Sequence, residues 1–193
     1  MSDSWDDYAE NWDGDERVIF YSQKAYDTLC EVTNLSSLNV LDFGCGTGLL
    51  SEKIAQHAKQ VVALDASPKM VEVLTQKKLP NVLTIAELLT ETLISKNSLF
   101  KNKFDLIVAS SVCGFLPDYE ATIPLLKQLL LPDGVFVQWD WLSTDDGDDS
   151  GLTQKRVVAA LKNTGFISVS FTQPFSISST DGDMPVFMAV GKA

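Results

Sequence analysis

The sequence predicts an α/β fold, a doubly wound, seven-stranded, mostly parallel sheet with helices on both faces. Five short apolar runs, at residues 40–43, 61–64, 82–86, 104–110 and 135–140, alternate with segments that are mostly helical in their apolar spacing. Two further runs, 166–171 and 186–190, have only 14 residues between them, without a helical pattern. A connection of that kind joins antiparallel neighbours, so the last strand is expected to run against the others.

The N-terminal part, residues 1–34, is predicted to be a helical extension of the main domain at 35–193. Trp5, Tyr8 and Trp12 are spaced three and four residues apart, which would place them on one stripe of a helix. A second amphipathic helix is predicted at 17–32. The stripe fits either a surface helix that tucks its rings onto the core or a lid over a ligand site.

The first strand ends in a glycine-rich turn that precedes a helix, at residues 40–48. Gly44, Gly46 and Gly48 permit backbone angles closed to other residues and let a ligand approach the main chain. N–H groups at the start of the following helix would favour an anionic group. Leu49 stands where the dinucleotide fingerprint requires glycine. Asp42, just before the turn, would repel a pyrophosphate but attract an ammonium or sulfonium, so the expected ligand carries both charges.

These residues carry a resemblance to a known family. The run from Leu41 to Gly48, together with the strands and loops C-terminal to it, resembles motif I and its surroundings in the class I S-adenosylmethionine-dependent methyltransferases, in their small-molecule branch. The resemblance extends from about residue 38 to the C-terminus and implies a Rossmann-like methyltransferase fold with S-adenosylmethionine as the cofactor. It implies methyl transfer to an O, N or C atom of a small molecule by in-line displacement. Two alternatives stay open, a cofactor-binding module or partner subunit without catalysis, and a protein methyltransferase.

Asp65 ends the second strand, 19 residues after Gly46, where an acid would bond the ribose hydroxyls of a nucleoside. Pro68, preceded by Ser67, marks the start of the next helix. The resemblance implies that Asp65 binds the ribose hydroxyls and that Glu87 accepts the adenine amino group. It places Ala66 and Met70 beside the adenine ring. The expected cofactor residues are Asp42, Gly44, Cys45, Gly46, Gly48, Asp65, Ala66, Met70, Glu87, Leu88 and Ser110.

Later elements continue the same alternation. A helix is predicted at 123–131 with Pro124 in its first turn, then a turn at 132–134, the fifth strand, and a helix at 152–161. Methyl transfer depends mainly on placement, so a base is not essential. If one is used, Tyr8, Asp118 and Asp140 are the candidates.

The composition limits the classes of partner that this protein is expected to bind. The formal net charge is −11, which argues against a nucleic acid, and no apolar segment is long enough to cross a membrane. Three scattered cysteines without a CxxC pair fit reduced thiols in a cytoplasmic protein and no metal site. The acidic run at 145–149 is expected to be a solvated loop, with a divalent-metal loop or an attractor for a cationic substrate as alternatives. The sequence carries no signal for oligomeric state.

Overall fold

A seven-stranded sheet forms the centre of the computed structural model, which describes residues 5–145, 151–179 and 182–193. The strand order is β3-β2-β1-β4-β5-β7-β6; β1 to β5 pair in parallel and β7 is antiparallel to both of its neighbours. This confirms the predicted fold class and its reversed last strand. The strands are β1 Asn39–Phe43, β2 Gln60–Asp65, β3 Val82–Ala86, β4 Phe104–Ser110, β5 Leu130–Trp141, β6 Ser168–Ser179 and β7 Gly182–Lys192.

Helices cover both faces of the sheet. They are α1 Glu16–Val32, α2 Leu49–Ala55, α3 Pro68–Gln76, α4 Glu91–Lys96, α5 Tyr119–Gln128 and α6 Gln154–Asn163. Short 3₁₀ turns occupy Ala9–Gly14, Ser98–Phe100 and Cys113–Phe115. Most of the α-helices begin at a side chain that accepts a backbone N–H, as Ser67 does for α3, which explains where they start.

Apolar cores lie on both faces of the sheet because successive strand residues point to opposite sides. Val40 and Leu106 pack on one face with α1 and α2, whereas Leu41 and Ile107 pack on the other with α4, α5 and α6. This double burial explains why the parallel strands appear in the sequence as continuous apolar runs.

Several predicted boundaries were wrong. Helix α5 begins at Tyr119 and not at residue 123, because Asp118 accepts the backbone N–H of Ala121 and caps the helix four residues earlier. Pro124 therefore lies inside the helix. Helix α6 begins at Gln154, since Leu152 forms a β-bridge with Leu142.

The segment expected to be a turn before β5 is part of that strand. The pairing of β4 with β5 shifts register between Phe104 and Leu106, and Asp133 adopts φ +66°. A bulge thus replaces the turn. The hairpin of β6 and β7 is also longer than its apolar pattern, since its outer residues are polar.

Two sequence-based expectations concern the surface. Residues 146–149 of the acidic run lie outside the described residues. Within the described part of the chain, no helix has the length and apolar character needed to cross a membrane, and no group of three or more His, Cys, Asp or Glu could hold a metal ion.

Candidate functional site

The candidate site lies where the strand order reverses. From β1 the chain continues outward to β2 and β3, then returns to place β4 on the other side of β1. In open parallel sheets this reversal opens a crevice at the carboxyl ends of the strands, which is the usual place for a ligand. The glycine turn and Asp65 both lie at this edge.

The three glycines of the turn serve different purposes. All three have positive φ, +73°, +52° and +83° for Gly44, Gly46 and Gly48. A Cβ on Gly44 would lie 2.4 Å from Val112, and one on Gly48 would lie 2.2 Å from Leu74, so both are needed for packing. A Cβ on Gly46 would meet nothing nearer than the indole nitrogen of Trp12, at 3.8 Å. Gly46 is therefore the glycine above which only a side chain of the N-terminal segment, that of Trp12, lies within contact distance.

The amides of the turn are largely used within the protein. The N–H groups of Gly44 and Cys45 donate to the carbonyl of Leu64 at 2.8 and 3.1 Å. The N–H of Gly46 donates to Asp65 Oδ2 at 2.8 Å. The turn is thus tied to the end of β2 and offers a ligand fewer free amides than its glycine content indicates.

Two acids lie at different depths beneath this turn. Asp65 is half-buried and accepts N–H groups from Gly46 and Ser67, both at 2.8 Å; burial raises the pKa of its carboxyl group. Asp42 is only 1% exposed and accepts the hydroxyl of Ser51 at 2.6 Å; burial raises its pKa to about 7. Asp65 can therefore contact a ligand with its remaining lone pairs, whereas Asp42 is shielded from a ligand and is only partly ionised at neutral pH.

The other expected cofactor residues are spread along the same edge. Ala66 follows Asp65 and is half-buried, and Met70 is buried on the inner face of α3. Ser110 is the half-buried last residue of β4. Glu87 and Leu88 are exposed just beyond β3, and Glu87 borders a hollow of about 520 Å³.

Cys45 turns its side chain away from the crevice. It packs against Ala63, Val71 and Leu74, and burial raises the pKa of its thiol well above the ordinary value. A neutral, buried thiol of this kind packs as a small apolar group and is a poor nucleophile.

The three candidate bases do not converge. Asp140, at the end of β5, is fully buried and accepts N–H groups from Gly114 at 2.8 Å and Trp141 at 3.0 Å; burial raises its pKa to about 6. Asp118 is exposed and caps α5. Tyr8 is 57% exposed. Asp140 thus holds the loop after β4 in place, and the other two lie on the surface.

The N-terminal segment covers the glycine turn through contacts that the sequence pattern did not predict. Asp13 accepts the hydroxyl of Thr47 and pairs with Lys77 at 2.8 Å. Asp6 accepts the hydroxyl of Ser67, at the start of α3. These hydroxyl partners are 34 and 61 residues apart in the chain, so no local pattern could pair them.

The aromatic side chains of this segment pack on one another and on the loop after β4. Trp5 meets Phe115 edge to face at a centroid distance of 5.3 Å and Trp12 at 5.8 Å. The expected single helical stripe is wrong, because the segment passes through turns and a 3₁₀ helix at Ala9–Gly14. The rings nevertheless form one cluster.

Comparison with known proteins assigns this arrangement to a family. The family model for a methyltransferase domain matches residues 3–176. The chain belongs to the methyltransferase domain family. The match covers the glycine turn, all the expected cofactor residues and the N-terminal segment that lies on them.

Curated relatives of this methyltransferase domain include an uncharacterized methyltransferase of Schizosaccharomyces pombe, 32% identical over 117 residues, which are 56% of this chain and 41% of the relative. The ubiquinone biosynthesis O-methyltransferase of Haemophilus ducreyi is 33% identical over 108 residues, 54% of this chain and 46% of the relative. The chain thus spans about half the length of the curated relatives it matches.

Solved structures share the fold of this methyltransferase domain at low identity. The DhpI–SAM–HEP complex has a TM-score of 0.72 at 17% identity, and the match covers 99% of this chain and 94% of the DhpI chain. The magnesium protoporphyrin IX methyltransferase of Synechocystis PCC 6803 with bound SAM has a TM-score of 0.66 at 21% identity, and the match covers 90% of this chain and 79% of that enzyme's chain.

Proposed function

We propose that this protein is an S-adenosylmethionine-dependent methyltransferase that acts on a small molecule. The observation that supports this most directly is the glycine turn joined to Asp65 at the reversal point of the sheet, in a chain that belongs to the methyltransferase domain family. The turn approaches a ligand through Gly46, and Asp65 stands beside it as a second anchor.

The residues at this edge fit the proposed cofactor. The atom nearest to a Cβ placed on Gly46 is the Trp12 indole nitrogen, at 3.8 Å, so a ligand would reach this backbone by displacing the Trp12 side chain. Asp65 keeps acceptor lone pairs beyond the two used by Gly46 and Ser67, and these can receive the two hydroxyl groups of a ribose. Ala66 and Met70 would border the adenine, with Glu87 and Leu88 at its far end and Ser110 toward the methyl group.

When bound, S-adenosylmethionine supplies an electrophilic methyl group on a sulfonium sulfur, which passes in line to a nucleophilic atom of the acceptor. The protein's task is placement, which can contribute about 7–11 kcal/mol to the reduction of the barrier. The pKa of Asp42 is about 7, so its ionised fraction beneath the turn favours a cationic sulfonium nearby and disfavours a pyrophosphate.

Asp140 contributes to placement rather than to proton transfer in this proposal. Its oxygens accept the backbone N–H groups of Gly114 and Trp141, which fixes the loop after β4. That loop borders the methyl group in this assignment. A displaced loop would misplace the acceptor.

The N-terminal segment is proposed to be a lid over this site. It is held by Asp13 on Thr47 and Lys77 and by Asp6 on Ser67, while Trp5 rests on Phe115. A cofactor that enters beneath it has to loosen these contacts. The net charge of −11 disfavours a nucleic acid as the acceptor.

Calorimetric titration tests the cofactor assignment. Saturable binding of S-adenosylmethionine and S-adenosylhomocysteine is expected, and no binding of NAD. Saturable binding of NAD alone would contradict the proposal.

Radiolabelled methyl transfer separates the remaining alternatives. Label recovered in small molecules from a panel of acceptors supports the proposal. Label recovered only in basic proteins identifies a protein methyltransferase. Cofactor binding with no transfer across the panel identifies a module without catalysis.

A further inference from the structure

The hydroxyl group of Tyr21 is buried without a hydrogen-bond partner among the described residues. The residue lies on α1, is only 6% exposed, and its Oη atom is one of three buried side-chain polar atoms left unpaired there. Such groups are rare in folded proteins because leaving one unpaired is unfavourable, and a bound ligand is one explanation.

Its position separates Tyr21 from the other two unpaired atoms, Ser22 Oγ and Gln138 Nε2. The ring of Tyr21 packs edge to face on Trp141, at the end of β5, with centroids 5.3 Å apart, and on Phe175 of β6 at 5.4 Å. Gln138 lies two residues before Asp140 within β5, and its oxygen accepts the Tyr119 hydroxyl. Of the three, Tyr21 is the one whose ring contacts reach the carboxyl edge of the sheet.

This position is on the acceptor side of the proposed site. The expected cofactor residues lie mainly around the ends of β1, β2 and β3, whereas Tyr21 packs on Trp141 at the end of β5. Ser111, the first residue after β4, and Asp140, near the end of β5, are close enough to influence the phenol. The reversal point between β1 and β4 lies between the two groups.

The chemistry of Tyr21 is that of a neutral hydrogen-bond donor. Burial, and next the charge of Asp140, raise the pKa of its phenol well above the ordinary value, so it does not act as a phenolate base. The side chain of Ser111 lies near and slightly favours the ionised form, but in a geometry that satisfies no hydrogen bond. Ser111 itself has φ +55°, a strained conformation of the kind found at ligand sites.

An unpaired donor calls for a ligand atom with a lone pair. A protonated amine has none to offer, and a carboxylate would be repelled by Asp140, which leaves a neutral oxygen or nitrogen atom. The surroundings are aromatic: Trp141 and Phe175 flank Tyr21, and Trp5 with Phe115 lies over the loop after β4. Flat rings pack well against such walls.

We propose that the Tyr21 hydroxyl donates a hydrogen bond to a hydroxyl oxygen of the methyl acceptor, and that this acceptor is a small hydroxylated aromatic compound. This inference rests on the proposed function and names the acceptor class for the same site. Tyr21 serves to bind and orient the acceptor.

The test compares phenol with toluene, which has the same shape but a methyl group in place of the hydroxyl. Both are titrated into the protein loaded with S-adenosylhomocysteine, for the wild type, Tyr21→Phe and Tyr26→Phe. Tyr26 also lies on α1 and is partly buried, so its variant removes the same hydroxyl from the same helix. Thermal unfolding of each variant is measured alongside.

The wild type is expected to bind phenol about five- to tenfold more tightly than toluene, as one neutral hydrogen bond allows. Tyr21→Phe is expected to lose that preference, with unchanged S-adenosylhomocysteine affinity and an unchanged or higher Tm. Tyr26→Phe keeps the preference.

Four results would overturn the inference. The wild type could bind phenol and toluene equally, or could show no saturable binding of phenol. The preference for phenol could persist in Tyr21→Phe. The S-adenosylhomocysteine affinity could fall in Tyr21→Phe, which would assign the hydroxyl to the cofactor. Failure of the wild type to bind S-adenosylhomocysteine would instead defeat the proposed function.

Discussion

The replacement of Gly46 by alanine or valine tests the cofactor site most sharply. Gly46 has φ +52°, and a Cβ there would point into space whose nearest atom, the Trp12 indole nitrogen, is 3.8 Å away. The Cβ of alanine would therefore only touch the Trp12 side chain at van der Waals distance. It stands where the proposed cofactor approaches the main chain.

The cost to the fold can be estimated separately from the cost to binding. A non-glycine residue in the left-handed region costs about 1–2 kcal/mol, and the reduced freedom of the unfolded chain offsets about 0.4–1 kcal/mol of this. Gly46→Ala should therefore destabilise the fold by roughly 1 kcal/mol. Crowding in a packed site costs about 1–3 kcal/mol, so affinity should fall about 5- to 150-fold for alanine, and further for valine.

Isothermal titration with S-adenosylhomocysteine measures the affinity, and urea denaturation measures the stability. Gly165→Ala is the matched control. Gly165 has φ +88° at the end of α6, and its Cβ would meet only the flexible end of Lys127 at 3.0 Å. Gly165→Ala imposes similar backbone strain away from the site and should leave the affinity for S-adenosylhomocysteine unchanged. A folded Gly46→Val protein that binds with wild-type affinity would refute the placement of the cofactor over Gly46.

Three further predictions concern acids around the same edge. Asp65→Ala removes a carboxylate that accepts the N–H of Gly46 and would bind the ribose, so the affinity for S-adenosylhomocysteine, measured by calorimetry, should fall at least about tenfold. Unchanged affinity would show that Asp65 does not bind the ribose. The pKa of Asp42 is raised to about 7 in the fold, above its value of 3.8 in the unfolded chain, so stability should fall as pH rises between these values and level off above. Urea denaturation at pH about 5 and about 8 measures this change in stability with pH. Asp42→Asn should reduce the change. An unchanged difference in the variant would show that another group causes it. Asp13→Asn breaks the ion pair with Lys77 that holds the N-terminal segment, so limited proteolysis before α1 should become faster. Asp15→Asn should change that rate less, because its partner Arg17 is its near neighbour in the chain. Equal proteolysis rates in the wild type and Asp13→Asn would show that this ion pair does not hold the segment.

The fold could be predicted from the sequence because its signals are local. A strand buried on both faces is an uninterrupted apolar run, and the turn after β1 needs glycine at positions with positive φ. Helix α1 matches its amphipathic pattern to within one residue. The predicted start of α5 was wrong although its cap, Asp118, is also a local signal, because proline favours the first turn of a helix and Pro124 pointed to a later start.

The depth of the acids could not be predicted in the same way. Asp42 and Asp65 both end an apolar strand, yet only Asp65 remains accessible at the edge. Ser51 lies over Asp42 because α2 folds back on β1, and this closes off the carboxylate. A pattern along the chain records that an acid is present, but its exposure depends on what packs above it.

The sequence alone determined the strands and most of the helices in their order along the chain, the glycine turn and the acid at the end of β2, since each depends on residues close together in the chain. Only the tertiary structure decided that Asp13 reaches Thr47, that Asp140 holds the loop after β4, and that the Tyr21 hydroxyl is left unpaired beside it. Those facts depend on side chains brought together from distant parts of the chain, where burial removes water and sets which polar atoms find a partner.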